Sequence, residues 1–201
     1  MPCGSGTTCR LTMDVHAPVA SGPWPVVVLL PGGPSPPGDY TYVNDDAVRL
    51  ASDGAVVMSA GWRQAPDWGG GWPSSFRDVA CAVRVARAFG PRYGAGRDHV
   101  TLAGHSLGGW AAAVVGLTSP PLAAPPGTCR AVTGSARPDA VVSLAGAVDE
   151  VRNRGLGTGW VRAFFGGTRA ERPGAWDAAD PYALAGSRPG RADRVPVTVV
   201  T

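Results

Sequence analysis

Six residues, Gly104-His105-Ser106-Leu107-Gly108-Gly109, span the junction between a β-type run at 99–103 and an Ala-rich stretch at 107–117 that carries no charge. A chain that changes from a period of two to one of 3.6 within a single turn has to bend sharply. Glycines on both sides of that bend remove the side chains that would strike the neighbouring strand and helix. The spacing therefore places Ser106 at a strained junction between a strand and a helix. A helix that leaves the end of a buried strand is also the unit from which parallel sheets are wound.

The remaining periodicity agrees with such a sheet. The run at 26–30, Val-Val-Val-Leu-Leu, is bounded by Pro25 and by Pro31-Gly32-Gly33, as expected for a strand buried on both faces. Comparable runs lie at 55–58, 99–103, 140–144 and 195–200. Leu11, Met13 and Val15 alternate with Thr12, Asp14 and His16, which suits an early, half-exposed antiparallel strand. Phe76, Val79, Ala80 and Val83 follow helical spacing, with Ser75 as N-cap and Asp78 at the positive helix end. A weaker helix is expected at 45–51. Strands alternating with helices predict a three-layer α/β sandwich, a mostly parallel sheet with helices on both faces and right-handed crossovers. A single domain over 1–201 is expected, with an N-terminal loop at 1–10 and a small insertion at 150–189 between two strands, where no clear period is present.

Composition removes several classes of function. All 18 basic residues are arginine, scattered among the acidic residues, so the net charge of +3 forms no nucleic-acid stripe. Without lysine there is no Schiff base and no Walker-type phosphate loop. No apolar run approaches the roughly 20 residues of a membrane-spanning helix. The first residues lack the basic and apolar regions of a secretory signal, which slightly favours a cytoplasmic location and leaves secretion open. Cys3, Cys9, Cys81 and Cys129 show neither C-x-x-C pairing nor histidine at zinc spacing, so no metal is expected. Free thiols are the leading expectation, with a Cys3–Cys9 bridge as the alternative.

Glycine-flanked Ser106 opening a helix has a chemical consequence. Its Oγ stands clear of the sheet, and the helix end supplies partial positive charge and a free N–H at Leu107. At this point the chain resembles the α/β-hydrolase superfamily. Leu30-Pro31-Gly32-Gly33 is similar to the His-Gly-Gly oxyanion loop of carboxylesterases and hormone-sensitive-lipase-like enzymes, with Pro31 in place of histidine. Gly61-Trp62-Arg63-Gln64-Ala65-Pro66-Asp67 resembles the Tyr-Arg-Leu-Ala-Pro-Glu stretch of the same branch, and Asp78 matches its structural aspartate. Phe164-Phe165-Gly166-Gly167 followed by Asp180-Pro181 looks like the segment before the penultimate catalytic strand.

The resemblance implies ester hydrolysis through an acyl-enzyme on Ser106, with N–H groups of Leu107 and of Gly32 or Gly33 holding the oxyanion, and no cofactor. A small-molecule ester is the expected partner. Trp68 and Trp72, in a glycine-rich loop, are candidates for an apolar substrate wall or for plain hydrophobic anchoring. In the family the acid and histidine follow the serine, the acid after the strand that 195–201 resembles. His16 falls on the first strand, His99 at the far end of the strand before the turn, and His105 beside Ser106 in a packing position. The triad acid and histidine are therefore expected beyond Thr201, and Asp149 reads as a loop residue. Truncation would leave 195–201 as an unpaired edge prone to self-association. Alternatives are a peptidase or acyl-transferase of the same fold, or a binding protein that has lost the triad.

Overall fold

The computed structural model describes residues 2–3, 7–8, 11–33, 39, 41–64, 66–123, 129, 132, 134–149, 158–187 and 195–201. Eight strands are present among them: β1 (Pro2–Cys3), β2 (Thr7–Thr8), β3 (Met13–His16), β4 (Trp24–Leu30), β5 (Val56–Ala60), β6 (Ala95–His105), β7 (Ala140–Leu144) and β8 (Val197–Val200). The longer helices are α1 (Asn44–Ser52), α2 (Ser74–Phe89) and α3 (Leu107–Leu117). Three short ones, α4 (Thr158–Phe165), α5 (Pro173–Asp177) and α6 (Pro181–Gly186), occupy the connection between β7 and β8.

β3 to β8 form one six-stranded sheet in the order β3-β5-β4-β6-β7-β8. β3 is antiparallel to β5, and every other pair is parallel. The order reverses between β4 and β6: the chain moves outward from β4 to β5, then returns past β4 to β6. Right-handed crossovers in opposite directions must lie on opposite faces of a sheet. Accordingly Ala47 and Ala51 of α1 pack with Leu29, Val57 and Ala103 on one face. α2 and α3 bury Val79, Val83, Ala111 and Val114 with Val28, Met58 and Leu102 on the other.

α2 starts earlier and runs further than the sequence pattern indicates. Pro73 takes the N-cap position, so Ser75 lies inside the first turn. Its hydroxyl accepts from the Gly71 N–H at 2.8 Å and donates to the Arg63 carbonyl, holding the preceding loop rather than capping the helix. Asp78 likewise lies beyond the first turn of α2 and does not cap the helix. Its carboxylate receives Arg63 Nε and Nη2, each at 2.7 Å, in a buried two-point ion pair. Burial pushes the Asp78 carboxyl above its ordinary range, against the downward pull of the Arg63 hydrogen bonds.

Within the expected insertion, the described residues 158–187 contribute to the core. Trp110 of α3 lies 5.1 Å from Phe76, 5.3 Å from Phe164 and 6.2 Å from Phe165, and Phe165 stacks on Trp176 at 4.5 Å. Edge-to-face and tilted contacts of this kind add to area burial because ring edges meet ring faces. Trp110 Nε1 also donates to the Ala179 carbonyl at 2.9 Å, tying an otherwise apolar helix to this segment.

Two expectations at the cysteines and the N-terminus change. Cys81 and Cys129, 48 positions apart in sequence, form a disulfide that joins α2 to the chain beyond α3. Spacing alone could not reveal it, because neither cysteine is near the other until α2 and α3 pack side by side. Residues expected to be a plain N-terminal loop pair as β1 and β2, with Pro2 opposite Thr8 and Cys3 opposite Thr7. Cys9 lies outside the described residues, and with it the Cys3–Cys9 alternative.

Removing one partner of a buried ion pair leaves the other charge uncompensated, so Asp78→Ala should cost about 3–5 kcal/mol in urea unfolding. Opening a loop of this length should cost on the order of 4 kcal/mol. A Cys81→Ser/Cys129→Ser chain should accordingly unfold at a clearly lower urea midpoint than the oxidised protein. An unchanged midpoint would show that the bridge constrains nothing.

Candidate active site

In an open parallel sheet the crevice outside the carboxyl ends of the strands, where strand order reverses, is the place a ligand can enter. Here that point lies between β4 and β6. β4 delivers Pro31-Gly32-Gly33 to it, and β6 delivers His105-Ser106.

Ser106 has φ 52° and ψ −119°. A serine there bears backbone strain of about 1–3 kcal/mol, which the surroundings must over-determine. They do so with hydrogen bonds from both sides: Ser106 N–H donates to the Leu144 carbonyl at 2.9 Å, and its carbonyl accepts from Trp110 N–H at 3.0 Å. Ala145, at the end of neighbouring β7, is the other non-glycine described residue with positive φ, at 43°. Strain thus collects at two adjacent strand ends.

Glycines make the turn feasible. A Cβ on Gly104 would stand 2.4 Å from the Gly108 backbone, and one on Gly108 would stand 2.5 Å from the Leu30 carbonyl oxygen. The first turn of α3 can settle on the ends of β4 and β6 only because no side chain intervenes. The N–H groups of that first turn, Leu107's included, are not consumed by the helix itself. They point partial positive charge toward Ser106.

The Pro31 loop is anchored from behind. The Trp62 indole N–H donates to the Pro31 carbonyl at 3.3 Å. Arg63 is fixed by Asp78, as described above, and donates to the Gly69 carbonyl at 3.2 Å. Gly32 is consequently pressed close to the turn: a Cβ there would lie 3.1 Å from Ser106 Cβ and 3.1 Å from His105 Nδ1.

A cavity of about 490 Å³ opens above this arrangement, lined by Gly32, Gly33, Asp39, Thr41, Tyr42, His105 and Ser106. Trp68 and Trp72 do not line it. The Trp72 ring packs on Phe76 at 5.4 Å and the Trp72 backbone N–H donates to the Phe164 carbonyl, so the residue anchors the glycine loop to the aromatic cluster. The wall is supplied by Asp39, Thr41 and Tyr42 instead, a contribution without periodic signal in the sequence. Tyr42 meets the His105 ring at 5.0 Å. Asp39 accepts from Thr41 N–H at 3.1 Å and Thr41 Oγ1 at 2.6 Å, and these bonds hold its carboxyl below the usual range.

No hydrogen bond links Ser106 Oγ to a histidine among the described residues. His105 Nδ1 is buried without a partner, beside Gly32. His16 pairs with Val57 near the start of β5, and His99 precedes the Val26–Val100 register, so both lie at the opposite end of the sheet.

A mostly parallel sheet with helices on both faces and a serine at a strained, glycine-flanked turn define an α/β-hydrolase of the carboxylesterase branch. Residues 13–184 match the model of the BD-FAE family, and the chain belongs to that family. Esterase LipC of Mycobacterium tuberculosis is 36% identical over 98 residues, a match covering 48% of this chain and 24% of that protein. Esterase 2 of Thermogutta terrifontis, in its propionate-bound structure, superposes with a TM-score of 0.71 at 20% identity, over 95% of this chain and 66% of that one. A bifunctional GH43-CE protein of Bacteroides eggerthii gives 0.74 at 22% identity, over 93% of this chain and 26% of that one. At these identities the two structural likenesses are of fold. The chain therefore spans about a quarter of the curated relative and about two thirds of the Thermogutta esterase. No described helix is long and apolar enough to cross a membrane.

Gly108→Ala should be among the most damaging small substitutions, because its methyl group meets backbone rather than a movable side chain. A loss of about 1–3 kcal/mol or more is expected in thermal or urea unfolding. Gly174→Ala, whose Cβ would meet nothing within 4 Å, should stay within about 0.5 kcal/mol of the parent.

Proposed function

We propose that this chain forms the nucleophile-bearing part of an esterase that cleaves carboxylic esters through an acyl-enzyme on Ser106. The observation that carries the reading is Ser106 in strained geometry at the positive end of α3, facing a cavity that Gly32 and Gly33 also line.

In this reading Ser106 Oγ attacks the ester carbonyl carbon and the carbonyl π pair moves onto oxygen. The resulting oxyanion accepts hydrogen bonds from the N–H of Leu107 and of Gly33 or Gly32. Each such donor is worth about 3 kcal/mol in the transition state. Collapse expels the alkoxide, which takes up a proton and leaves as the alcohol. Water then attacks the acyl-serine, releasing the carboxylic acid and restoring the hydroxyl.

Attack at neutral pH needs a base for the Ser106 proton. His16 and His99 lie at the wrong end of the sheet, and His105 is packed between Gly32 and Tyr42. We therefore assign the base and its carboxylate partner to sequence following β8. β8 runs parallel to β7, which runs parallel to β6, and Ala145 N–H donates to the Val200 carbonyl at 2.7 Å. Chain that follows Val200 leaves the sheet at the same carboxyl end of the parallel strands as Ser106, two strand spacings or about 10 Å away.

A fluorophosphonate probe followed by peptide mass spectrometry tests both halves of this proposal. Label should appear at Ser106, vanish in Ser106→Ala, and accumulate slowly in the 201-residue chain. Turnover of 4-nitrophenyl butyrate by that chain should not exceed roughly 10³–10⁴ over water. A folded chain that takes no label would overturn Ser106 as nucleophile. Rapid labelling abolished by His105→Ala would keep the nucleophile and overturn the assignment of the base.

A further inference from the structure

A second cavity, of about 350 Å³, shares no residue with the one above Ser106. It lies at the β3 edge of the sheet. Met13 and Val15 of β3 and Met58 of β5 face Val85 and Phe89 of α2 across it.

The cavity follows from a mismatch between α2 and the sheet. α2 buries Phe76, Val79, Val83 and Ala86 against the central strands. Its sequence carries a further apolar row, Ala82, Val85 and Phe89, spaced by three and four residues and so aligned along one helix face. That row points past the core toward β3, which is only four residues long. Val85 and Phe89 on the helix, and Met13 and Val15 on the strand, are left half-buried.

One end of the cleft is cationic. Arg92, from the turn that follows α2, lines the cavity and is exposed. Its guanidinium lies 4.6 Å from the Phe89 ring centroid. It makes no ion pair among the described residues. The other charged group in the lining, Asp78, is already matched by Arg63. Among the described residues the cleft thus combines apolar walls with a single uncompensated positive charge.

We propose that this cleft is a binding site for a medium-chain aliphatic carboxylate, with its chain between β3 and α2 and its carboxylate on Arg92. Methylenes leaving water for apolar walls drive such binding. Stacking on Phe89 holds the guanidinium plane at the mouth and leaves its N–H edge available for a two-point carboxylate contact. At roughly 30 Å³ per non-hydrogen atom, the value for a molecule of liquid water, the volume suits about a dozen atoms, the size of decanoate. The proposal does not depend on the assignment of Ser106.

Calorimetric titration of Ser106→Ala protein with decanoate, below its micellar range, tests it without turnover. One saturable site per chain is expected. Arg92→Glu, on an exposed turn, should weaken decanoate about tenfold or more while changing the affinity for 1-decanol, which has no charge, less than about twofold. Val85→Trp should abolish binding of both by filling the cleft, with a melting curve confirming that the variant is folded. If that variant does not fold, the Arg92→Glu comparison decides alone. Tyr42→Ala, in the other cavity, should leave decanoate affinity unchanged. Absence of saturable binding, or equal affinity in Arg92→Glu, would overturn the proposal. So would a loss confined to Tyr42→Ala, which would seat the acid above Ser106.

Discussion

The arrangement at Ser106 rests on backbone packed directly against backbone. Added Cβ atoms on Gly104, Gly108 and Gly109 would fall within 2.9 Å of main-chain atoms of neighbouring elements or of one another. Gly116, two turns from Gly109 on the same face of α3, is as tightly approached by a side chain: a Cβ there would come within 2.3 Å of Val141 Cγ2. α3 therefore lies closer to β4, β6 and β7 than a helix with side chains on that face could. Its remaining surface is free to carry Trp110 into the aromatic cluster. Position of the serine, depth of the helix and placement of the β7–β8 connection are one packing problem rather than three.

Support for the turn comes from elements distant in sequence. The Pro31 carbonyl is held by Trp62, whose neighbour Arg63 is held by Asp78 on α2, and Ser75 on the same helix fastens the intervening loop. Each link is buried, so none exchanges readily with water, and a loosened member leaves a polar group without compensation. The charged pair contributes placement more than net energy, since desolvation offsets much of its attraction.

Much of the fold was legible in the sequence because its signals are local. The β-branched run at 26–30, the run at 140–144 and the chargeless stretch at 107–117 each appear as an element with nearly the expected bounds. The sharp turn at 104–109 was legible too, since glycine spacing and a change of period coincide there. Features that depend on contacts across the chain were not. α4 to α6 are each eight residues or shorter, too brief to display a period, and are stabilised by Trp110, Phe76 and the Ala179 carbonyl. The Cys81–Cys129 bridge needs α2 and α3 already side by side. Tyr42 reaches the Ser106 cavity through the tertiary placement of a short 3₁₀ turn, while Trp72, attractive on composition, is drawn instead into Phe76.

The bridge between Cys81 and Cys129 also gives the molecule a topology that a linear drawing hides. The second half of α2, all of β6, Ser106 and all of α3 form a covalent ring. A protease that cuts once inside that ring opens it without detaching any part of the chain. Fragments on either side of the cut would migrate together until a reductant is added. The strand and helix that present the serine can thus be nicked and still be held to each other by a bond that does not pass through the peptide backbone.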